Sequence, residues 1–186
     1  MMSLSDINEG INTFIPLYLY MEAKIYINDK LAEKWRELAM KRFGYGRGSI
    51  SKAAEEALSM WVENEEIIVA TLENLKKIAS KQKQVFALLL FGSYARKEPY
   101  HDIDITVIVH NKSNKLKILS LFESSVPETP KFDFSIFNDM PINMKSRVLS
   151  ECMLIYEKQG FDLKKLSSEL IQKWSDIKPM IDAAVV

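Results

Sequence analysis

The sequence predicts an α/β (α+β) protein, a mixed sheet flanked by helices over residues 64–186, preceded by a β-α-α module over residues 22–63. Three observations carry that reading. Residues 17–27 alternate in parity, with Leu17, Leu19, Met21, Ala23, Ile25 and Ile27 on one side and Tyr18, Tyr20, Glu22, Lys24 and Tyr26 on the other, the period of a half-buried strand. Helical and strand-like stretches then alternate from residue 67 to the C-terminus. Finally, an apolar run at 85–91 stops at Gly92-Ser93 and resumes ten residues later as Asp102-Ile103-Asp104-Ile105. Aspartate is depleted in strands and is seldom buried without a partner, so those two carboxylates call for a reason.

Bulk composition narrows the classes. The chain has 186 residues, 47% of them hydrophobic, which supports a packed core and argues against wholesale disorder. Lys plus Arg and Asp plus Glu stand at 25 each, so only local patches can point to a charged partner. The single cysteine, Cys152, excludes an intrachain disulfide framework and reads as a packing residue in a reducing, cytoplasmic setting. Residues 1–21 are expected to be an extension. They lack the pattern of an export signal, with no Lys or Arg in the first ten positions and Asn12 and Pro16 breaking the apolar stretch. No run approaches the ~18 apolar residues of a membrane span.

The elements follow in order. After the 17–27 strand, Asn28 caps a helix to about residue 43, with Leu31, Trp35 and Leu38 at helical spacing. Gly44, Gly46 and Gly48 make a turn, and Ser51 caps a second helix bearing Ala54, Ala57, Leu58, Trp61 and Val62. The polar stretch Glu63-Asn64-Glu65-Glu66 marks the domain boundary. A helix at 67–82 turns Leu72, Leu75 and Ile78 inward, and strands follow at 85–91 and 102–109. A helix at 115–124 ends before Pro127 and Pro130, and a strand at 131–137 alternates strongly. A helix at 143–151, a short strand at 153–156 and a helix at 163–183 complete the chain.

Asp102 and Asp104 stand two apart on a strand, so both project from one face. Side by side they repel unless a cation lies between them, and paired hard oxygen ligands suit Mg²⁺, which binds one or two carboxylates plus substrate phosphates. Gly92-Ser93 ends the preceding strand and begins a helical turn at Tyr94-Ala95-Arg96. Glycine allows close backbone approach, and N–H groups at a helix start bind anions. A phosphate held by Gly92-Ser93 and bridged by metal to Asp102 and Asp104 accounts for both halves of the stretch. The plainer alternatives are a strand end whose acids face water and, for Arg96, a surface ion pair. Tyr94 either packs or stacks on a base.

Gly-Ser, then Asp-x-Asp on the next strand, then a third carboxylate on a later strand resembles the polymerase-β-like nucleotidyltransferase superfamily. Gly92-Ser93-Tyr94-Ala95-Arg96 is most similar to its minimal members, and Asp133, between Phe132 and Phe134, matches the third carboxylate. The resemblance covers residues 67–186. It implies Mg²⁺-dependent transfer of a nucleoside monophosphate from ATP or another nucleoside triphosphate. Asp102, Asp104 and Asp133 would be the catalytic metal ligands, and Gly92, Ser93 and Arg96 would hold the triphosphate. Two departures stand out: Lys97 replaces the usual glycine after the arginine, and the loop to Asp102 is short, with His101 in the usual serine position.

Residues 22–63 resemble ribbon-helix-helix DNA-binding domains through Ala23-Lys24-Ile25-Tyr26-Ile27-Asn28-Asp29-Lys30-Leu31 and Gly48-Ser49-Ile50-Ser51-Lys52-Ala53-Ala54-Glu55-Glu56-Ala57-Leu58. The resemblance implies a homodimer whose paired strands lie in the major groove of operator DNA. Lys24 and Tyr26 would reach base edges, and the helix start at Ser51 and Lys52 would meet a phosphate. Residues 23–52 hold eight Lys or Arg against three acids, a locally basic balance. Both modules resemble parts of prokaryotic toxin–antitoxin systems, which implies a small helical toxin as partner. Three functional readings remain open: an antitoxin-like nucleotidyltransferase that binds its operator, a regulator whose C-terminal domain has lost catalysis, and a small-molecule enzyme whose N-terminal module only dimerises.

Overall fold

The computed structural model describes residues 24–184. Contacts divide the chain into two units, Met1–Ala54 and Glu55–Val186. The expected strand at 17–27 falls largely outside the described residues, and residues 24–28 form neither helix nor strand.

In the first unit, helix α1 spans Asp29–Phe43. The Asn28 side-chain carbonyl accepts the Leu31 N–H at 2.9 Å, which satisfies one open donor of the first turn. Gly44, at φ +86°, ends the helix and returns its N–H to the Met40 carbonyl. Helix α2 starts at Ser49. Gly48 at φ +92° turns the chain into it, and the Ser49 hydroxyl donates back to the Gly44 and Gly46 carbonyls. The expected cap at Ser51 is thus corrected: Ser51 lies inside the first turn, and the Lys52 N–H is already bonded to the Gly48 carbonyl. Of residues 24–54 only Ala39 and Ser49 are buried, so the described part of this unit leaves most of its apolar side chains exposed or half-exposed.

A second correction concerns residues 63–66. Helix α2 runs Ser49–Lys81 without a break there. Polarity alone does not end a helix: glutamate propagates one well, and no Gly or Pro occurs between residues 49 and 81.

The second unit is built on a four-stranded sheet of β1 (Val85–Phe91), β2 (Ile103–Val109), β3 (Phe132–Ile136) and β4 (Met153–Glu157), in the order β3-β2-β1-β4. β1 is antiparallel to both β2 and β4, and β2 is parallel to β3. A parallel pair needs a crossover, supplied by helix α4 (Lys115–Glu123), and a one-turn helix α3 (Gly92–Ala95) joins β1 to the loop before β2. Helices α5 (Ile142–Glu151) and α6 (Leu163–Ala184) flank β4 in sequence.

Alternation sorts the strands into two faces. Leu88, Leu90, Ile103, Ile105, Val107, Phe132 and Ile136 pack with Ile68, Leu75 and Ala79 of α2 and with Ile118 and Phe122 of α4. Ala87, Leu89 and Ile108 form the other face with Phe137, Val148 of α5, and Leu163, Leu166 and Leu170 of α6. Asp104 shares the parity of Ile108, and therefore this second face, at the end of β2 nearest α3. Cys152 is half-buried against the same cluster, and burial pushes its thiol pKa up, as expected of a packing residue. No helix among the described residues is long and apolar enough to cross a membrane.

Candidate active site

The site forms where β1 hands over to α3 beside the start of β2. Phe91 is the register partner of Asp104, so Gly92 follows at the level of the carboxylate. Gly92 is buried at φ +77°, and a Cβ built there would collide with Asp104 Oδ2 and lie 3.0 Å from Cγ. Only glycine satisfies both demands, a left-handed backbone and a carboxylate pressed against Cα. α3 is a single turn; what it offers an anion is its own backbone, with little macrodipole behind it.

Asp104 and Asp133 are Cα partners across the parallel β2–β3 pair, and Asp102 lies two residues before Asp104, just outside the strand. The three charges feel one another. Burial, then the charges of Asp102 and Asp133, raise the Asp104 carboxyl above the ordinary value. A cation already answers part of this crowding: Lys131 Nζ lies 2.8 Å from Asp133 Oδ2 and 4.0 Å from Asp102 Oδ2. Its pKa is raised chiefly by the hydrogen bond to Asp133. Hard oxygen donors, mutual repulsion and an ammonium drawn among them fit a divalent cation such as Mg²⁺. Among the described residues no three His, Cys, Asp or Glu side chains gather tightly enough to make a metal cluster.

Beside Asp104 lies a pocket of about 280 Å³ whose walls include Gly92, Ser93, Arg96, Met144, Arg147 and Glu151. Arg96 serves both sequence readings, lining this pocket while pairing with carboxylates. Its Nε donates to Glu98 Oε2 and its Nη1 to Glu151 Oε2, both at 2.9 Å. Glu98 and then Glu151 raise the pKa of that guanidinium. Lys97, in the position where a glycine was expected, adopts φ +60°. A non-glycine side chain resists that left-handed backbone.

Tyr94 packs. Its ring meets Tyr100 edge-on at 4.9 Å, and both hydroxyls donate to Glu65 of α2, at 3.0 and 2.8 Å. Burial, followed by the Glu65 hydrogen bond, pushes both phenols up to about 12. The structure thus brings Gly92, Ser93, Arg96 and Asp104 to one pocket and sets Asp133 and Asp102 beside Asp104. In the first unit, Lys24 lies over the Tyr26 ring, Nζ 5.1 Å from its centroid. Sequence reasoning missed Lys131, Arg147 and Glu151. Lys131 was legible as the i−2 neighbour of Asp133, and Arg147 and Glu151 as an i,i+4 pair on α5.

Residues 73–160 match the family model described as "Polymerase beta, Nucleotidyltransferase". The match spans a little under half of the chain. The second unit's mixed sheet with flanking helices matches the nucleotidyltransferase fold, and the matched span includes every site residue of that unit named above except Glu65. A curated relative, "Putative protein adenylyltransferase MJ1547" of Methanocaldococcus jannaschii, is 27% identical over 100 residues, 53% of this chain and 76% of that protein. Among solved structures, a toxin-antitoxin structure with AMP-PNP is 17% identical and covers 66% of this chain and 99% of its own, at a TM-score of 0.45. A second, of a tri-AMPylated Shewanella oneidensis HEPN toxin in complex with MNT antitoxin, is 17% identical over 66% of this chain and 97% of its own, at 0.43.

Proposed function

We propose that the chain is a protein nucleotidyltransferase that moves a nucleoside monophosphate from ATP or another nucleoside triphosphate onto a hydroxyl of a partner protein. The observation that carries this reading is the contact of Gly92 with Asp104, which joins a phosphate-type turn to a metal-type carboxylate inside the matched domain. Gly92, Ser93 and Arg96 bind and orient the triphosphate in the pocket beside Asp104. Asp104 would hold Mg²⁺, with Asp102 and Asp133 beside it and substrate phosphate oxygens completing the shell. Bound there, the ion neutralises phosphate charge and aligns attacking and leaving oxygens. Asp133, on the strand next to Asp104, holds the acceptor hydroxyl and takes its proton. The adenylyltransferase name of the Methanocaldococcus relative supports a protein acceptor. A small helical protein of toxin type is the acceptor implied by the family resemblance.

The first unit adds a dimeric ribbon-helix-helix module bound to operator DNA. The support is its exposed apolar segment, Ile25 at 61% and Leu31 at 53%, which one copy leaves uncovered, and its basic balance. Lys24 and Tyr26 read bases, while Ser51 and the Lys52 side chain approach phosphate.

Transfer is tested with [α-³²P]ATP, Mg²⁺ and a small helical protein of toxin type as acceptor. Label should move to that protein with wild type and not with Asp104→Asn; label transfer undiminished in the variant removes the metal assignment. One observation favours the second reading, a DNA-binding regulator with a silent catalytic fold: Lys131 sits among the aspartates. That reading predicts no label transfer from wild type with any of the four nucleotides, together with intact operator binding.

A further inference from the structure

The pocket beside Asp104 contains a charge that the nucleotide reading does not explain. Glu151, the last residue of α5, has a side chain only 15% exposed and lines the cavity in which a polyanion is to sit. A carboxylate there repels phosphate, and burying it unpaired is costly. It is paired on two sides. Arg96, just after the Gly92–Ala95 turn, places Nη1 2.9 Å from Oε2, and Arg147, one turn back on α5, places Nε 3.5 Å from Oε1. Both guanidiniums line the same pocket, together with Gly92 and Ser93.

We propose that Glu151 is a resident counter-anion: it holds Arg96 and Arg147 poised in the nucleotide-free pocket and yields them to the triphosphate. The inference rests on the nucleotide reading above and adds to it a binding residue, Arg147, and a positioning residue, Glu151. The chemistry is exchange of like partners. Guanidinium N–H groups pair with carboxylate and with phosphate oxygens alike, so phosphate oxygens can replace Oε1 and Oε2 without a new pocket being built. The Arg147 side chain is 64% exposed, which leaves it room to swing from helix surface to ligand. The Arg96 side chain, at 30%, is held more firmly and keeps Glu98 as a second partner. Glu151 therefore lowers affinity while keeping both cations near the site, and removing its charge should tighten binding of anything that carries a triphosphate.

The test is calorimetric titration of Mg²⁺–ATP, and separately of inorganic tripolyphosphate, into the full chain as wild type, Glu151→Gln and Arg147→Met. Thermal melts establish that each variant is folded at the titration temperature. Glu151→Gln keeps shape and hydrogen-bonding capacity, and should bind both probes about five- to tenfold more tightly. Arg147→Met should bind both about tenfold more weakly, the loss of one charged phosphate contact. Wild-type binding with Glu151→Gln equal or weaker overturns the counter-anion role and leaves the nucleotide site standing. Unchanged affinity in Arg147→Met overturns its contact with phosphate. Failure of wild type and Glu151→Gln alike to bind either probe removes the nucleotide reading and this inference with it.

Discussion

Asp104 works against the fold that holds it. Burial and two neighbouring carboxylates raise its pKa, so the folded state holds its proton more tightly than the unfolded chain does. Stability contributed by this group therefore falls as pH rises from the ordinary carboxylate value through the raised one. Above that window the ionised carboxylate is a net cost. In EDTA at pH 7, Asp104→Asn should melt about 1–3 °C above wild type, and the gap should close at pH 3.5. A variant less stable at pH 7 would contradict this account of the site. Lys131 partly offsets the same repulsion, in the place a metal would seek. Lys131→Met should raise Mn²⁺ affinity about three- to fivefold, read by electron paramagnetic resonance, the scale of one exposed ion pair. Gly92 has the least latitude. Gly92→Ala adds a left-handed penalty of about 1–2 kcal/mol to a collision with Asp104, and should lower the melting temperature by about 5 °C or more.

At the scale of elements, most of the second unit was legible in the sequence. β1 occupies Val85–Phe91 as its apolar run demands, and β3 sets Phe132 and Ile136 in the core while Asp133 faces away, as alternation requires. What escaped was context. The stretch 63–66 looks like a linker because it is polar, yet Glu65 is the shared acceptor of Tyr94 and Tyr100, partners 29 and 35 residues away that no local pattern reveals. Glu65→Ala leaves two phenol hydroxyls without that acceptor and should cost about 1–3 kcal/mol, measured by urea unfolding. Ser51 was misread as a cap because a serine before an apolar run is a start signal. The true start depends on Gly48 and on the Ser49 hydroxyl reaching back to the turn carbonyls. Arg147 and Glu151 matter only because α5 forms a wall of the Asp104 pocket, a long-range fact. The loop at Lys97 was read as a departure, and its backbone is left-handed there. Lys97→Gly should be neutral within about 1 kcal/mol, since relief of strain offsets glycine's entropy.

At the scale of the whole molecule, the two units make different demands. The second unit has its own core and the pocket beside Asp104. The described part of the first buries almost nothing, which is the argument for a second copy of the chain. Ile25→Glu should convert a dimer to a monomer in light scattering behind size exclusion and abolish operator binding. A dimer that survives the change would place the interface elsewhere. Nucleotide transfer should not depend on the first unit's basic residues, so Lys24→Ala with Lys52→Ala should lose DNA and keep label transfer. In the proposed function, the Gly92-Ser93 turn and the aspartates beside it form one working nucleotide site. Calorimetric titration of ATP with and without Mg²⁺ into wild type and Asp104→Asn tests it most directly. Metal-dependent binding by wild type that vanishes in the variant is the predicted result; no binding by wild type, or metal-dependent binding undiminished in the variant, would contradict it.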